Sequence, residues 1–220
     1  MQENPMDNRF TDLISGEDEF KDLPGLRVLQ HLYSSAVMQL RIKFDILNSE
    51  FRIHYDRSPI HHIESRLKSP ISMAEKLRKR GCEVSIASAK ANLNDIAGVR
   101  VVCCYIDDVY KIEEMFLRQT DVRLLERTDY IKEPKENGYR SLHLDVEIPV
   151  YLSSRTEYAA AEIQLRTVAM DFWASLEHDL RYKSDKMIPE SIKNEMQACS
   201  DEIAGIDRRM QEIYKQIQKL

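Results

Sequence analysis

At 220 residues the chain is long enough for one sizeable domain, or a domain with a helical appendage, and needs no disulfide staples to hold its core. Its residues are 43% hydrophobic and 31% charged, a globular mixture, and the formal net charge of -5 argues against broad electrostatic binding to duplex nucleic acid or anionic membranes while leaving room for a local basic site. No apolar run reaches bilayer-spanning length, the acidic and polar N-terminus is not a signal peptide, and Cys82, Cys103, Cys104 and Cys199 form no Cys-x-x-Cys pair, so buried free thiols in a reducing cytosol are expected and a zinc site is not.

Residues 1–24 lack periodicity and carry Asn-Pro, Ser-Gly and Leu-Pro-Gly turn signals, which predicts a flexible arm. Leu29, Leu32, Tyr33, Ala36, Leu40, Phe44, Leu47 and Phe51 recur three and four apart, the apolar face of a long helix. A second helix is expected after Pro70, with Ser69 as N-cap and Ile71, Ala74 and Leu77 inward. From Ile96 the β-branched run to Tyr105 reads as a buried strand. Asp107 and Asp108 are expected to cap a short helix through Leu117, followed by a strand over 122–127. Residues 142–150 alternate as a half-buried strand should, 158–165 form another strand, and 167–182 return to a helix with Phe172, Trp173 and Leu176. The sum is an α/β (α+β) fold with a mixed, mostly antiparallel sheet flanked by helices. In the last segment Ile192, Met196, Cys199, Ile203, Ile206, Met210, Ile213, Ile217 and Leu220 keep heptad spacing, which predicts packing on the long N-terminal helix, on a partner chain, or on both. The expected organisation is an arm over 1–24, a catalytic-type domain over 25–184, and a heptad helix over 185–220.

Residues 129–143 read Asp-Tyr-Ile-Lys-Glu-Pro-Lys-Glu-Asn-Gly-Tyr-Arg-Ser-Leu-His. Cations, a tyrosine beside a glycine turn, an amide and a histidine suit a nucleotide site, although spacing alone fits an ordinary polar hairpin equally well. Asp95 at the start of a strand reads by itself as a terminal charge. Glu162, set among apolar residues, must face solvent or a partner, with Gln164 on the same face.

The segment 129–143 resembles the signature of the RelA/SpoT-type alarmone synthetases. Four further segments resemble that family in the right order: 65–70 (Ser-Arg-Leu-Lys-Ser-Pro), 95–100 (Asp-Ile-Ala-Gly-Val-Arg), 162–167 (Glu-Ile-Gln-Leu-Arg-Thr) and 170–178 (Met-Asp-Phe-Trp-Ala-Ser-Leu-Glu-His). The match runs from about residue 26 to 183, and length narrows it to the small, stand-alone members. The resemblance implies a nucleotidyltransferase-like sheet and Mg²⁺-dependent transfer of pyrophosphate from ATP to the 3′-hydroxyl of GDP or GTP. At matching positions it makes Asp95 and Glu162 the Mg²⁺ ligands, with Glu162 also orienting or deprotonating the acceptor hydroxyl. Arg66 and Arg100 resemble the adenine sandwich, Lys68, Lys76 and Ser72 the ATP phosphate contacts, and Tyr139 the residue that stacks on guanine. Lys135, Asn137 and His143 resemble the phosphate and ribose neighbours of the acceptor. Gln164 joins the acceptor set. Asp171 is a separate candidate for it, because one carboxylate can accept from both N1–H and N2–H₂ of guanine, with an ordinary exposed helix acid as the equal alternative.

The resemblance further implies a cytoplasmic homotetramer built through terminal helices, and it brings in pppGpp and single-stranded RNA as regulatory ligands. The chain has no room for the hydrolase of the long members, so no hydrolase activity is expected. Residues 126–129 match neither version of the corresponding loop in the long members, which leaves the choice between GDP and GTP open. Two other readings compete. A toxin-type relative would use adenosine nucleotide or tRNA as acceptor, and a pure nucleotide or RNA sensor would need the phosphate cations without both carboxylates.

Overall fold

In the computed structural model the described residues are 25–183 and 189–220, with the side chains of 181–183 left aside, so the expected arm over 1–24 lies outside them. Helix α1 (Leu26–Tyr55) is followed by strand β1 (Ile60–Leu67), helices α2 (Pro70–Lys79) and α3 (Ile86–Asn92), and strand β2 (Ala97–Cys103). Helix α4 (Ile106–Leu117), strands β3 (Arg123–Asp129), β4 (Leu142–Tyr151) and β5 (Thr156–Thr167), and helices α5 (Val168–Lys183) and α6 (Glu190–Ile217) complete the described residues.

The five strands form one sheet in the order β1-β2-β5-β4-β3, with only β2 and β5 parallel. This is the mixed, mostly antiparallel sheet expected. Because side chains alternate along a strand, each of the inner strands sends one set to each face. Val99 and Val101 of β2, Leu142, Leu144, Val146 and Ile148 of β4, and Ala161, Ile163 and Leu165 of β5 are buried, and together with α1 and α4 they make the core. Every residue of the expected α1 stripe is buried, and Phe44 stacks on Phe116 of α4 at 4.6 Å between ring centroids. Ser69 caps α2 as expected, accepting from the Ser72 amide at 3.2 Å, with Pro70 at the first position.

The alternate positions form the opposite, polar face. Registers across the sheet align two rows, one residue from each strand in spatial order. The first is Arg66, Gly98, Glu162, Asp145 and Glu126; the second is Glu64, Arg100, Gln164, His143 and Thr128.

Three local readings need correction, and the expected helix α5 gains its inward residue. Strand β1 and helix α3 were not expected: β1 is an edge strand in which only Ile60 is buried, so it lacks the apolar alternation that reveals a strand. Tyr105 occupies the N-cap of α4 in place of Asp107 or Asp108, because these two acids lie in the first turn and pair elsewhere, Asp108 with Arg57 and Asp107 with Lys215. In α5 Trp173 is buried whereas Phe172 and Leu176 are exposed. Of the cysteines only Cys103 is fully buried and Cys199 is exposed, although all four are free.

The heptad seam of α6 was expected to pack on α1, on a partner chain, or on both, and within this chain it is largely turned outward. The helix packs on α5 and α4. It turns Ser200, Ala204, Asp207 and Gln211 inward, a stripe with its own four-and-three spacing, and leaves Ile192, Ile206, Met210, Ile213 and Ile217 exposed. Most of the inward polar groups find partners: Thr167 Oγ1 donates to Asp207 at 2.6 Å, and Gln211 Oε1 accepts from the Asp107 amide at the N-terminus of α4 at 2.9 Å, while the buried Gln211 Nε2 has no partner among the described residues. Tyr214 stacks on Tyr105 at 4.3 Å, under the Arg57 guanidinium.

Candidate active site

The two polar rows floor a pair of adjoining recesses. The larger is an open polar cleft of ≈ 370 Å³ whose lining includes Lys76, Asp95, His143, Asp145 and Glu162. Asp95 sits just ahead of β2, two residues before the strand begins. Its Oδ2 accepts from Lys68 at 2.9 Å and Lys76 at 2.7 Å, while the buried Oδ1 has no hydrogen-bond partner among the described residues. Burial pushes the Asp95 carboxyl up, and the two lysines outweigh it, so the group stays below its ordinary value and ionised.

Glu162 lies across the cleft on β5. Burial again pushes the carboxyl up, and His143 and Gln164 reverse the effect, so it too titrates low despite repulsion from Asp95. Gln164 donates to Glu162 Oε2 at 2.7 Å, and His143 Nδ1 lies 3.3 Å from Oε1. Tyr139 Oη is 2.8 Å from His143 Nε2, and Arg166 donates both to Tyr139 Oη and, at 2.8 Å, to Gln164 Oε1. Ionised Glu162 can only accept, which sets His143 as the Nδ1–H tautomer and gives the network one direction. Arg166 donates to Tyr139, the Tyr139 hydroxyl donates to His143 Nε2, and His143 Nδ1–H donates to Glu162.

Asp145 faces Glu162 across the β4–β5 register, and Asn94 donates to it at 3.0 Å. Burial raises its pKa, which the Asn94 donor opposes and Glu162 and Glu126 reinforce.

The second recess, ≈ 80 Å³, is lined by Arg66, Gly98 and Arg100 together with Glu64, Glu162 and Gln164. Gly98 opens it: a Cβ there would meet Arg66 Cγ at 3.5 Å. Arg100 is steered by Glu64 at 3.1 Å and Asp171 at 3.4 Å.

The remaining expected residues divide. Tyr139 and Lys135 flank the cleft, with the Lys135 ammonium 4.4 Å from the Tyr130 ring and 5.0 Å from that of Tyr139. Asn137 shapes the turn instead of entering the cleft, donating to Glu177 at 3.0 Å and accepting from the Tyr139 amide at 3.3 Å. Ser72 is engaged by Ser69 in the α2 cap and lines neither recess. Asp171 accepts from Arg166 at 3.2 Å as well as meeting Arg100, so its Oδ1 ties the two recesses together.

Arg166, 4% exposed, is the hub that the sequence reading missed. Its signal was present, since period two from Glu162 through Gln164 continues to Arg166 on the same face. Asp145, Glu126 and Asn94 were also missed.

Paired acids beside lysines, an arginine-lined slot and a tyrosine-bearing turn are the parts that phosphoryl transfer between nucleotides requires. Comparison with known proteins gives the family. The pattern for the region found in RelA / SpoT proteins matches residues 65–187, and the chain belongs to that family. It is 41% identical over 186 residues to the GTP pyrophosphokinase YwaC of Bacillus subtilis, covering 84% of this chain and 89% of that one. It superposes with TM-score 0.78 on the crystal structure of small alarmone synthetase 1 from Bacillus subtilis bound to its product pppGpp, at 36% identity over 85% of this chain and 95% of that one. The same enzyme bound to AMPCPP matches with TM-score 0.75, at 31% identity, covering 88% and 98%.

Proposed function

We propose that the chain makes ppGpp and pppGpp by moving pyrophosphate from ATP to the 3′-hydroxyl of GDP or GTP, releasing AMP. The observation that carries this reading is the polar row across the sheet. It places Glu162, held ionised, between the arginine slot and the tyrosine turn, with Asp95 opposite.

In this reading ATP lies with its adenine between Arg66 and Arg100, since planar guanidinium groups stack on a base as ammonium groups cannot. Lys68 and Lys76 take the triphosphate, moving from Asp95 to phosphate oxygens. The acceptor base rests on Tyr139, with Lys135 toward its phosphates. The acceptor 3′-oxygen attacks the β-phosphorus, the bond from that phosphorus to the oxygen bridging to the α-phosphate breaks, and AMP leaves with the electron pair. The hydroxyl proton passes to Glu162, whose basicity is set by the donors His143 and Gln164. Most of the rate comes from alignment and charge neutralisation, because the hydroxyl is a poor nucleophile.

The residues fit a divalent cation. Asp95 has one carboxylate oxygen without a protein partner, and Glu162 stands across the cleft, a sparse oxygen set that Mg²⁺ completes with substrate phosphates. Bound there, Mg²⁺ would neutralise phosphate charge.

The test uses purified protein, Mg²⁺ and ATP labelled on the β-phosphate, offered GDP, GTP, ATP or bulk tRNA separately, beside Glu162→Gln. Label on a guanosine nucleotide with a silent variant is the expected result. Label on tRNA or adenosine nucleotide would move the chain to the toxin-type reading, and transfer to no acceptor would leave a binding protein. Adding pppGpp or single-stranded RNA to the same assay tests both as regulators.

The same reading makes the chain a self-associating, cytoplasmic protein. The exposed seam of α6 and the exposed Met38, Ile42 and Ile46 of α1 support association. The four free cysteines support a reducing compartment, and among the described residues no helix is long and apolar enough to cross a membrane.

A further inference from the structure

The turn that carries Tyr139 is held from outside the sheet. Gly138 is buried and has φ +82°, a conformation that L side chains rarely adopt, and a Cβ there would lie 2.5 Å from Ser200 Cβ on α6. The contact is bonded as well as close. Ser200 Oγ donates to the Gly138 carbonyl at 2.6 Å and accepts from Arg140 Nη1 at 2.8 Å. Arg140 Nη1 also donates to the Gly138 carbonyl at 3.2 Å, and Nη2 reaches Asp201 at 2.9 Å. Ser200 is 4% exposed, so its bond to the Gly138 carbonyl is made out of water, where leaving a partner unmatched is costly.

Beyond this contact α6 is anchored independently, through Asp207 to Thr167 and through the Tyr214–Tyr105 stack. Ser200 therefore presents a stationary surface to a turn that Asn137 and Glu177 grip from the other side. On the turn's cleft side, Tyr139 is bonded to His143, which lies 3.3 Å from Glu162.

We infer that α6 is part of the acceptor-binding apparatus: Ser200, acting with Arg140 and the close approach at Gly138, is a positioning residue that holds the 135–140 turn so that Tyr139 stands ready for the acceptor nucleotide. This rests on the reading of Tyr139 as the acceptor's stacking residue. Ser200 lines neither recess of the site. Its effect belongs in acceptor affinity and in the order of the turn, not in ATP binding at the arginine slot across the sheet.

The test is steady-state kinetics on the full chain with GDP and ATP varied separately, combined with amide hydrogen exchange over 132–142. Ser200→Ala and Arg140→Lys are compared with wild type, and Tyr139→Ala is run in parallel. Arg140→Lys keeps the charge for Asp201 and removes the fork that joins Ser200 to Gly138. The expected result for both is a rise of about 5–20-fold in the KM for GDP, the scale of one or two lost hydrogen bonds, with the KM for ATP within about twofold and faster exchange at 138–140. A KM for GDP within about twofold of wild type together with unchanged exchange overturns the latch, and so does an equal rise in both KM values, which would mean general loosening. If Tyr139→Ala leaves the GDP response normal, the acceptor reading of the turn has failed. The exchange data on Ser200→Ala still decide whether α6 holds the turn.

Discussion

Asp95 is buried enough to favour its neutral form, and two lysines 2.7 and 2.9 Å away keep it charged. Its folded pKa lies below the ordinary 3.8, so it contributes stability that is complete well above pH 3.8 and is lost as pH falls through the lowered value. Replacing both lysines by methionine leaves burial unopposed, and the folded pKa then rises above the ordinary value. For Lys68→Met/Lys76→Met the deficit against wild type is expected to be largest at pH 7, about 2 kcal/mol against the roughly 3–5 kcal/mol of fully buried pairs. The deficit should shrink toward pH 4 as Asp95 takes up a proton. Urea unfolding across that range reads it directly, and a pH-independent deficit would show that the lysines act by packing alone. The individual residues were unequally legible. Glu162 stood out as an acid among apolar residues, whereas Asp95 was singled out only by the family resemblance; Ser72 and Asn137 came from the same resemblance, and the fold spends them on a helix cap and a turn. Asp171 lies between two guanidinium groups that sequence could not place beside it, because Arg100 reaches it only through the packing of α5 on the sheet.

The strands were legible where burial imposes a pattern. β2, β4 and β5 carry continuous or alternating apolar residues because the α1 and α4 side of the sheet is the core. β1 is an edge with one buried residue, so nothing in 60–67 advertised a strand, although the motif inside it did point to the arginine slot. Pairing of β1 with β2 sets Arg66 opposite Gly98, and this gives the glycine its meaning. A strand interior would ordinarily favour a β-branched residue, yet here a side chain would fill the recess. Gly98→Val is expected to fold with a melting temperature close to wild type and to raise the KM for ATP by about tenfold or more, the effect of a few misplaced methyl groups in a fitted pocket. The KM for GDP should stay near wild type, since Tyr139 lies beyond β5. Separate titrations of the two nucleotides check it, and a matched rise in both would mean that the recess is not the adenine site.

At the scale of the whole molecule, two helices carry an apolar stripe that the chain does not bury. On α6 the stripe is Ile206, Met210 and Ile213, each close to half exposed at 50%, 48% and 48%. On α1 it is Met38, Ile42 and Ile46, at 57%, 57% and 58%, lying off the buried face of the same helix. The heptad spacing of α6 was visible in the sequence, but which stripe faces inward was not: the inward one is Ser200, Ala204, Asp207 and Gln211, whose partners on α4 and β5 appear only in the fold. Fully burying an isoleucine is worth roughly 1.5–3 kcal/mol, so each stripe can drive a self-complementary contact between two copies. One such face gives a dimer. Two separate faces, each pairing about its own two-fold axis, close into a tetramer with dihedral symmetry. The two faces therefore make distinguishable predictions by light scattering on size-separated protein. Wild type is expected at the mass of a tetramer. Ile206→Glu/Ile213→Glu should stop at a dimer held through α1, Met38→Glu/Ile42→Glu at a dimer held through α6, and the combined variant should run as a monomer. A tetramer that survives either pair of substitutions would exclude that helix from the assembly, and a wild-type monomer would remove both. Charges placed on the outer face of α6 leave Ser200 and Gly138 untouched, so the dimeric α6 variant should keep its KM for GDP, provided that the helix stays docked on α5 without a neighbour pressing against it.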